Sequence, residues 1–567
     1  MSRRSLPRPP KPLRPTLREI MSTLNARRRV HAAARPILRD RPRSASAMTE
    51  LFVPLDRLLS CGGDARLSLD PTSGVNAYGC RPFPCPDTMS FASTTATPIS
   101  ERAYDRVSVA RESLMRSAIA VGIDVAFDAR IESMRERLKA YLRLSQVDIV
   151  FSPSGTDSQL QALFLARALL GAPLTTVIVA ADQTGSGTVD TARGHHFSEL
   201  TANGSRVRKG APIDGLADGV TSVALPSLDA AGVLRPQAEN DSLVLAAIER
   251  SVASGNNVLL QIMDSSKLGW RAPSDQCLDE ISARWPDRVQ VVVDACQMRL
   301  GRPRLQNYLD RGYLVIVTGS KFFTGPAFSG ALLVPACLVA ALDAVAEIGS
   351  GLCEYGGRSD WPMNWTRLRS RFPSRANLGQ WLRWEAALEE IRAYYGLPDE
   401  FRLKALAIFR EGAARIIESS PSLGLLSPQQ GPEDRGVDDE EQAEPTIFPF
   451  VIRHHGRVLP LEDCRKLYRA LARNTCPANV DEHPEIAAKA CLVGQPVALG
   501  GVEHDPAAAL RISAGARFVT ESWSPDEDTA HCNLQRELGH VSAIVARIEQ
   551  LVAHIDELNA TEPCHEA

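Results

Sequence analysis

Between Val147 and Ser320 the chain alternates between two kinds of segment. Short β-branched apolar runs (VDIVFS, TTVIVAA, NVLLQIMD, VQVVVDA and YLVIVTGS) are separated by amphipathic stretches of helical period. Antiparallel sheets with one wetted face show period-two alternation instead. Near-continuous Val, Ile and Leu runs joined by helices fit a mostly parallel sheet covered on both faces. That pattern fixes an α/β domain, placed at 101–345, and leaves few other folds open to such a chain. Helical patterning from Ser100 to about Leu144 leads into it.

The flanking segments differ. Residues 1–50 hold 13 Arg or Lys against 3 acidic residues, with repeated Pro, and form a basic tail or presequence that cannot bury a core of its own. Residues 51–100 are rich in Gly, Pro, Ser and Thr and read as an extended arm. Residues 346–567 mix a long helix (NLGQWLRWEAALEEIRAYYG), a strand (IFPFVIRH), a helix (LEDCRKLYRALARN), a strand (ALRISAG) and a terminal helix, as expected of a smaller α+β domain. An acidic loop near 427–445 interrupts them.

Composition narrows the function classes. A net charge of −3 does not advertise nucleic acid or an anionic membrane as a partner. The twelve cysteines form no CxxC pair and no tight cluster, so a disulfide framework and a structural metal site are not expected, and a cytoplasmic location is. The longest apolar run, around Ala331 to Leu342, contains Pro335 and is too short to span a bilayer.

Three strand ends carry chemistry. In an open parallel sheet, ligands collect at the carboxyl ends of the strands. The first end, SPSGTDSQL, brings Ser154, Gly155 and Thr156 to a helix start, where free N–H groups and hydroxyls suit a phosphate; the same residues also suit a plain helix cap. The second, VVVDACQ, sets Asp294 directly after an apolar strand, with Gln297 three residues on. The third, VTGSKFFTGP, places Lys321 beside Thr318 and Ser320. A phosphate-type loop, a strand-end carboxylate and a strand-end amine, in that order, are the parts of a pyridoxal phosphate site: phosphate cradle, partner of the ring nitrogen, and amine for the aldehyde.

These segments resemble the fold-type I pyridoxal phosphate enzymes, within them the class V aminotransferase and cysteine desulfurase group. DACQMRLG is similar to that group's D-x-x-Q-x-x-G segment, TGSKFFTGP to its S-x-H-K-x-x-G-P segment, SFASTTATPIS to its N-terminal arm, and ALRISAG to its late R-[IV]-S strand. The resemblance implies a pyridoxal 5′-phosphate cofactor and a small-molecule amino-acid substrate. It implies Lys321 as the Schiff-base lysine, and Ser154, Gly155, Thr156, Asp294, Gln297, Thr318 and Ser320 as cofactor contacts. Arg511 is implied as the grip on the substrate carboxylate, with a homodimer as the assembly. Two departures stand out: Ser320 replaces the usual His, and one extra residue separates Lys321 from Gly325-Pro326. No clear ring-stacking aromatic or His follows TTVIVAADQTGSG where one is expected; His195 and His196 are candidates. Cys491 and Cys476 lack the small-residue context of a sulfur-transfer cysteine. The expected activity is aminotransferase-like chemistry on an α-amino acid. A lyase or desulfurase using the same cofactor, and a silent cofactor-binding homologue, are the alternatives. Asp264 and Lys267, after NVLLQIMD, end another strand and receive no role from the resemblance.

Overall fold

The computed structural model describes residues 47–229, 231–345, 347–426, 445–473, 489–500 and 506–556. The basic tail, Cys476 and nearly all of the acidic loop lie outside the described residues.

Seven strands form the central sheet: β1 (Val147–Ser152), β2 (Leu174–Val179), β3 (Val220–Leu225), β4 (Asn257–Met263), β5 (Val289–Asp294), β6 (Leu314–Thr318) and β7 (Gly330–Pro335). Their order is β1-β7-β6-β5-β4-β2-β3. All neighbours pair in parallel except β7, which is antiparallel to both β1 and β6. Alternate side chains enter two separate cores, as the period of a strand dictates. Val258, Leu260, Val291, Val293, Val315 and Val317 join one core, which the helices Glu101–Val121 and Leu378–Tyr395 cover. Leu259, Val292, Leu314 and Ile316 join the other, against Leu163 and Phe164 of the helix Gly155–Leu170. Burial on both faces is why these strands read as unbroken apolar runs.

The fold class expected from the sequence is therefore found, with two additions. β3 is an edge strand with half-exposed residues and carries no strong apolar run. β7 and the helix Ala336–Asp343 divide between them the apolar stretch that looked like one segment. The helical region after Ser100 is two helices broken at Gly122, whose φ of +83° lies where a side chain would be strained.

A second, antiparallel sheet holds β8 (Leu423–Leu425), β9 (Ile447–His454), β10 (Arg457–Val458), β11 (Gly494–Ala498) and β12 (Ala508–Ser513). Its path is β10-β9-β12-β11, with β8 also on β9. The helices Asp399–Glu418, Leu461–Arg473 and Glu527–Ala553 accompany it. The arm meets this sheet directly: Met89–Ser90 pairs with Cys491–Leu492, and Ala92 bridges Ser513. Among the described residues no helix is long and apolar enough to cross a membrane.

Candidate active site

A cavity of about 650 Å³ opens at the carboxyl ends of the parallel strands, within the ~300–1,000 Å³ span of small-molecule sites. All nine residues singled out above line it: Ser154, Gly155, Thr156, Asp294, Gln297, Thr318, Ser320, Lys321 and Arg511. They come from four separate stretches of the chain, and the fold brings them to one place.

Ser154 is the N-cap of the helix Gly155–Leu170. Its Oγ accepts from the Asp157 N–H at 3.3 Å, and its own N–H donates to Asp157 Oδ2 at 3.0 Å. The capping role is thus real, and it leaves the N–H groups of Gly155 and Thr156 in the first turn, where the helix supplies no acceptor. Asp157 is buried, and burial together with the Asp64 carboxylate raises its pKa to about 7. Its carboxyl is then partly neutral at physiological pH, so it opposes an incoming anion less. Arg66 reaches the same loop from the arm, donating to Asp64 Oδ2 at 2.6 Å and to Thr156 Oγ1 at 3.4 Å. A Cβ on Gly155 would lie 2.5 Å from Cys296 Sγ, so only glycine lets this loop close on the end of β5.

Asp294 ends β5 and is buried. Its Oδ1 accepts from the Cys296 N–H at 3.1 Å and its Oδ2 from Gln159 Nε2 at 3.5 Å. Gln159 is itself held by Thr191, whose hydroxyl donates to Gln159 Oε1 at 2.7 Å. Gln297 Nε2 donates to the Thr94 carbonyl at 3.2 Å, while its Oε1 is buried without a partner. Thr318 donates its hydroxyl to the Cys296 carbonyl at 2.7 Å, so that side chain ties the ends of β5 and β6 together and offers only its lone pairs to a ligand.

Lys321 leaves β6 on a tightly held loop. Thr324 N–H returns to the Lys321 carbonyl at 2.9 Å, and Gly325 N–H to Gly319 O at 3.0 Å. A Cβ on Gly319 or Gly325 would come within 2.4 Å or 2.7 Å of Ala387 Cβ, so both glycines let the loop lie on the helix Leu378–Tyr395. Phe322 and Phe323 anchor it in edge contacts with Tyr394 at 5.2 Å and 6.0 Å. Each such buried ring contributes about 1.5–3 kcal/mol. Thr324 in this loop has a φ of +58°. Burial lowers the Lys321 pKa; Cys296 and Asp294 oppose the shift, and Arg511 and Arg299 add to it. A lysine in this setting holds more of the free amine than an exposed one does.

Arg511 on β12 is 1% exposed. It donates to the Gln495 carbonyl and, at 3.4 Å, to Thr95 Oγ1, while its Nε has no partner. None of the described carboxylates pairs with it, and burial lowers its pKa to about 9. A buried guanidinium without an anion is a costly group, and one that a carboxylate ligand would satisfy.

Several lining residues received no role in the sequence reading. Gln183, 1% exposed, follows β2, and neither of its amide atoms has a partner among the described residues. It stands in the loop where a stacking aromatic was sought. His195 and His196 do not line the cavity; His196 instead bonds the Tyr355 hydroxyl at 2.6 Å. Thr94, whose buried Oγ1 is also unpartnered, comes from the arm with Thr95 and Tyr78. Lys267, after β4, also lines the cavity. The only signal for these residues was their place near a strand end or in the arm.

No family model matches the sequence, and no curated protein matches it. Among solved structures, the chain is similar to a C-DES mutant with glycine covalently linked to the PLP cofactor, at 14% identity and a TM-score of 0.47, covering 80% of this chain and 97% of that one. It is similar to TDC of Oryza sativa with PLP and tryptamine, at 14% identity and a TM-score of 0.46, covering 94% and 100%. It is also similar to the glutamate decarboxylase domain of a Vibrio parahaemolyticus protein, at 16% identity and a TM-score of 0.42, covering 81% and 80%.

Proposed function

We propose that the chain is a pyridoxal phosphate-dependent enzyme acting on an α-amino acid, with aminotransferase-like chemistry as the first reading. The observation that carries this is the meeting in one cavity of Lys321, Asp294, the Ser154–Thr156 loop and Arg511. The unpartnered buried atoms of Gln183, Thr94 and Gln297 fit the same proposal, because a polar planar ligand would supply what they lack.

When bound, the cofactor supplies an aldehyde for amines and an electron sink for charge at Cα. The chain's own residues do the rest. Gly155 and Thr156 N–H groups, the Ser320 hydroxyl and Arg66 would hold the phosphate. Asp294, fixed by Cys296 and Gln159, would keep a proton on the ring nitrogen. Gln297 would face the ring oxygen. Lys321, its pKa lowered, would bond the aldehyde and, once displaced by substrate amine, move a proton at Cα. Arg511 would hold the substrate carboxylate in a two-pronged grip.

A lyase is the second reading, favoured by Tyr78. Tyr78 lines the cavity, and its phenol, protonated at neutral pH, is a proton donor for a leaving group. Sulfur transfer has less support: Cys491 is 1% exposed in the strand pair with the arm and does not line the cavity. Cys296 does line it, but burial and Asp294 push its thiol well above the ordinary value. Purified protein given pyridoxal phosphate should develop an absorbance band at the visible–ultraviolet border that Lys321→Ala abolishes. Across an amino-acid panel, keto acid formed without ammonia and only while a 2-oxo-acid acceptor takes up the amino group marks the first reading, and ammonia or sulfide released without an acceptor marks the second. A protein that takes up no cofactor ends both.

The extended arm engages its own chain. The Tyr468 hydroxyl donates to Tyr78 O at 3.3 Å, Gln495 Nε2 donates to Ala77 O at 3.2 Å, and the Tyr78 ring lies 6.4 Å from that of Phe328. A homodimer belongs to the same proposal, and a fully active monomer in sedimentation would remove it.

A further inference from the structure

The cavity's charge is unbalanced. Among the described residues, Arg66, Lys267, Lys321, Arg465, Arg469 and Arg511 line it against one carboxylate, Asp294. In the reading above, Arg66 stands at the phosphate loop, Lys321 bonds the aldehyde, and Arg511 takes the α-carboxylate. Arg465 and Arg469 lie on the helix Leu461–Arg473, and both are near Glu462. Lys267 is left over.

Lys267 is also firmly placed. It occupies the corner of a turn in which Gly269 N–H returns to Ser266 O at 3.0 Å, and Gly269 has a φ of +85°. Ser266 Oγ accepts from the N–H groups of Leu268 at 3.2 Å and Trp270 at 3.0 Å. Met263 bridges Ala272 below it. Leu268 and Trp270 are buried against Val497 and Ala509 of the second sheet. The turn is therefore clamped between the two sheets, with Lys267 on the cavity. No hydrogen bond or ion pair holds its amine among the described residues. The carboxylates nearest in its field are engaged elsewhere: Asp182 accepts from Ser227 N at 2.8 Å and Leu228 N at 3.1 Å, and Asp294 accepts from Cys296 and Gln159.

We propose that the substrate is an amino acid with a second anionic group on its side chain, a carboxylate, phosphate or sulfonate, and that Lys267 is the residue that engages it. The inference rests on the reading of the cavity as a pyridoxal phosphate site. It explains why a chain would retain an unpaired cation beside Arg511 and Lys321, where repulsion disfavours it. Burial, then Arg511 and Lys321, lower the Lys267 pKa to about 7, with Asp182 and Asp294 opposing. This amine is therefore partly neutral at neutral pH. An arriving anion raises its pKa, so binding takes up a proton. Affinity for the second anion is then full below pH 7 and weakens as pH rises above it.

The test uses the protein reconstituted with cofactor. L-aspartate, L-glutamate, O-phospho-L-serine and L-cysteate are titrated against L-alanine and L-norvaline, following the cofactor absorbance. The dianionic class should bind at least about tenfold tighter, a margin ordinary for one desolvated charge pair. Lys267→Gln should remove most of that margin and Lys267→Arg should retain part of it. Calorimetry in two buffers of different ionisation enthalpy should show proton uptake with the dianionic class, lost in Lys267→Gln. The comparison of carboxylate, phosphate and sulfonate arms identifies the anion. An absent preference, or a Lys267→Gln variant that weakens both classes by one factor, overturns the inference while leaving the cofactor reading intact. If no cofactor is taken up, the wider reading fails instead. Succinate against butyrate binding to the same protein by calorimetry then still decides whether Lys267 selects a second anion.

Discussion

Replacing Arg511 by methionine separates a binding role from a structural one. Arg511 is buried among hydrogen-bond acceptors that are not carboxylates, and burial lowers its pKa to about 9. At 1.36 kcal/mol per tenfold change in proton affinity, its charged form bears a penalty on the order of 5 kcal/mol. For a base with a depressed pKa, that penalty is present in full below pH 9 and is relieved only as pH climbs above it. At pH 7–8 methionine fills similar space and removes it. Against this stands the loss of two charge-assisted hydrogen bonds, to Gln495 O and Thr95 Oγ1, at roughly 1.5–3 kcal/mol each. The two effects offset, so Arg511→Met should change stability by less than about 2 kcal/mol in urea melts, far from the ~3–5 kcal/mol of a broken buried ion pair. Affinity for an α-carboxylate, read by titrating amino acids into the cofactor-loaded protein, should fall by about 2–5 kcal/mol, or some 30-fold and upward. A variant that loses more than about 3 kcal/mol of stability but binds substrate as before would show that Arg511 is a strut between β11 and the arm, and would refute the reasoning.

Other perturbations follow from the same geometry. Asp157, with its pKa raised from 3.8 to about 7, contributes stability below pH 4 that is lost as pH rises to about 7, on the order of 4 kcal/mol; Asp157→Asn should flatten that loss in melts between pH 4 and 8. Gly325→Ala would press a methyl to 2.7 Å from Ala387 Cβ and Gly319 O, and should cost about 1–3 kcal/mol in the same melts. Cys491→Ser, deep in the strand pair and off the cavity, should leave turnover with amino acids in place; abolition of turnover would restore the sulfur-transfer reading.

Much of the architecture was legible because parallel strands buried on both faces advertise themselves. β2, β4, β5 and β6 coincide with their apolar runs. β3 was hidden because an edge strand needs no such run; the helix Asp399–Glu418 was missed although Pro398 at its N-cap, with Asp399 and Glu400 in the first turn, marks its start. The nine predicted lining residues converge because strand ends are where such a sheet gathers ligands. Lys267 and Gln183 could not be assigned the same way. What singles out Lys267 is repulsion from Arg511, a residue on the other sheet, and what singles out Gln183 is the absence of a partner in three dimensions. Ser154 shows a further limit: cap and ligand loop look alike in sequence because they use the same free N–H groups.

The most direct measurement is borohydride reduction of the cofactor-loaded protein followed by peptide mass analysis. The account predicts one reduced adduct, carried by Lys321, and a Lys321→Ala protein with no adduct in the cavity. An adduct on Lys267 with Lys321 untouched, or a protein that is never labelled, would contradict it.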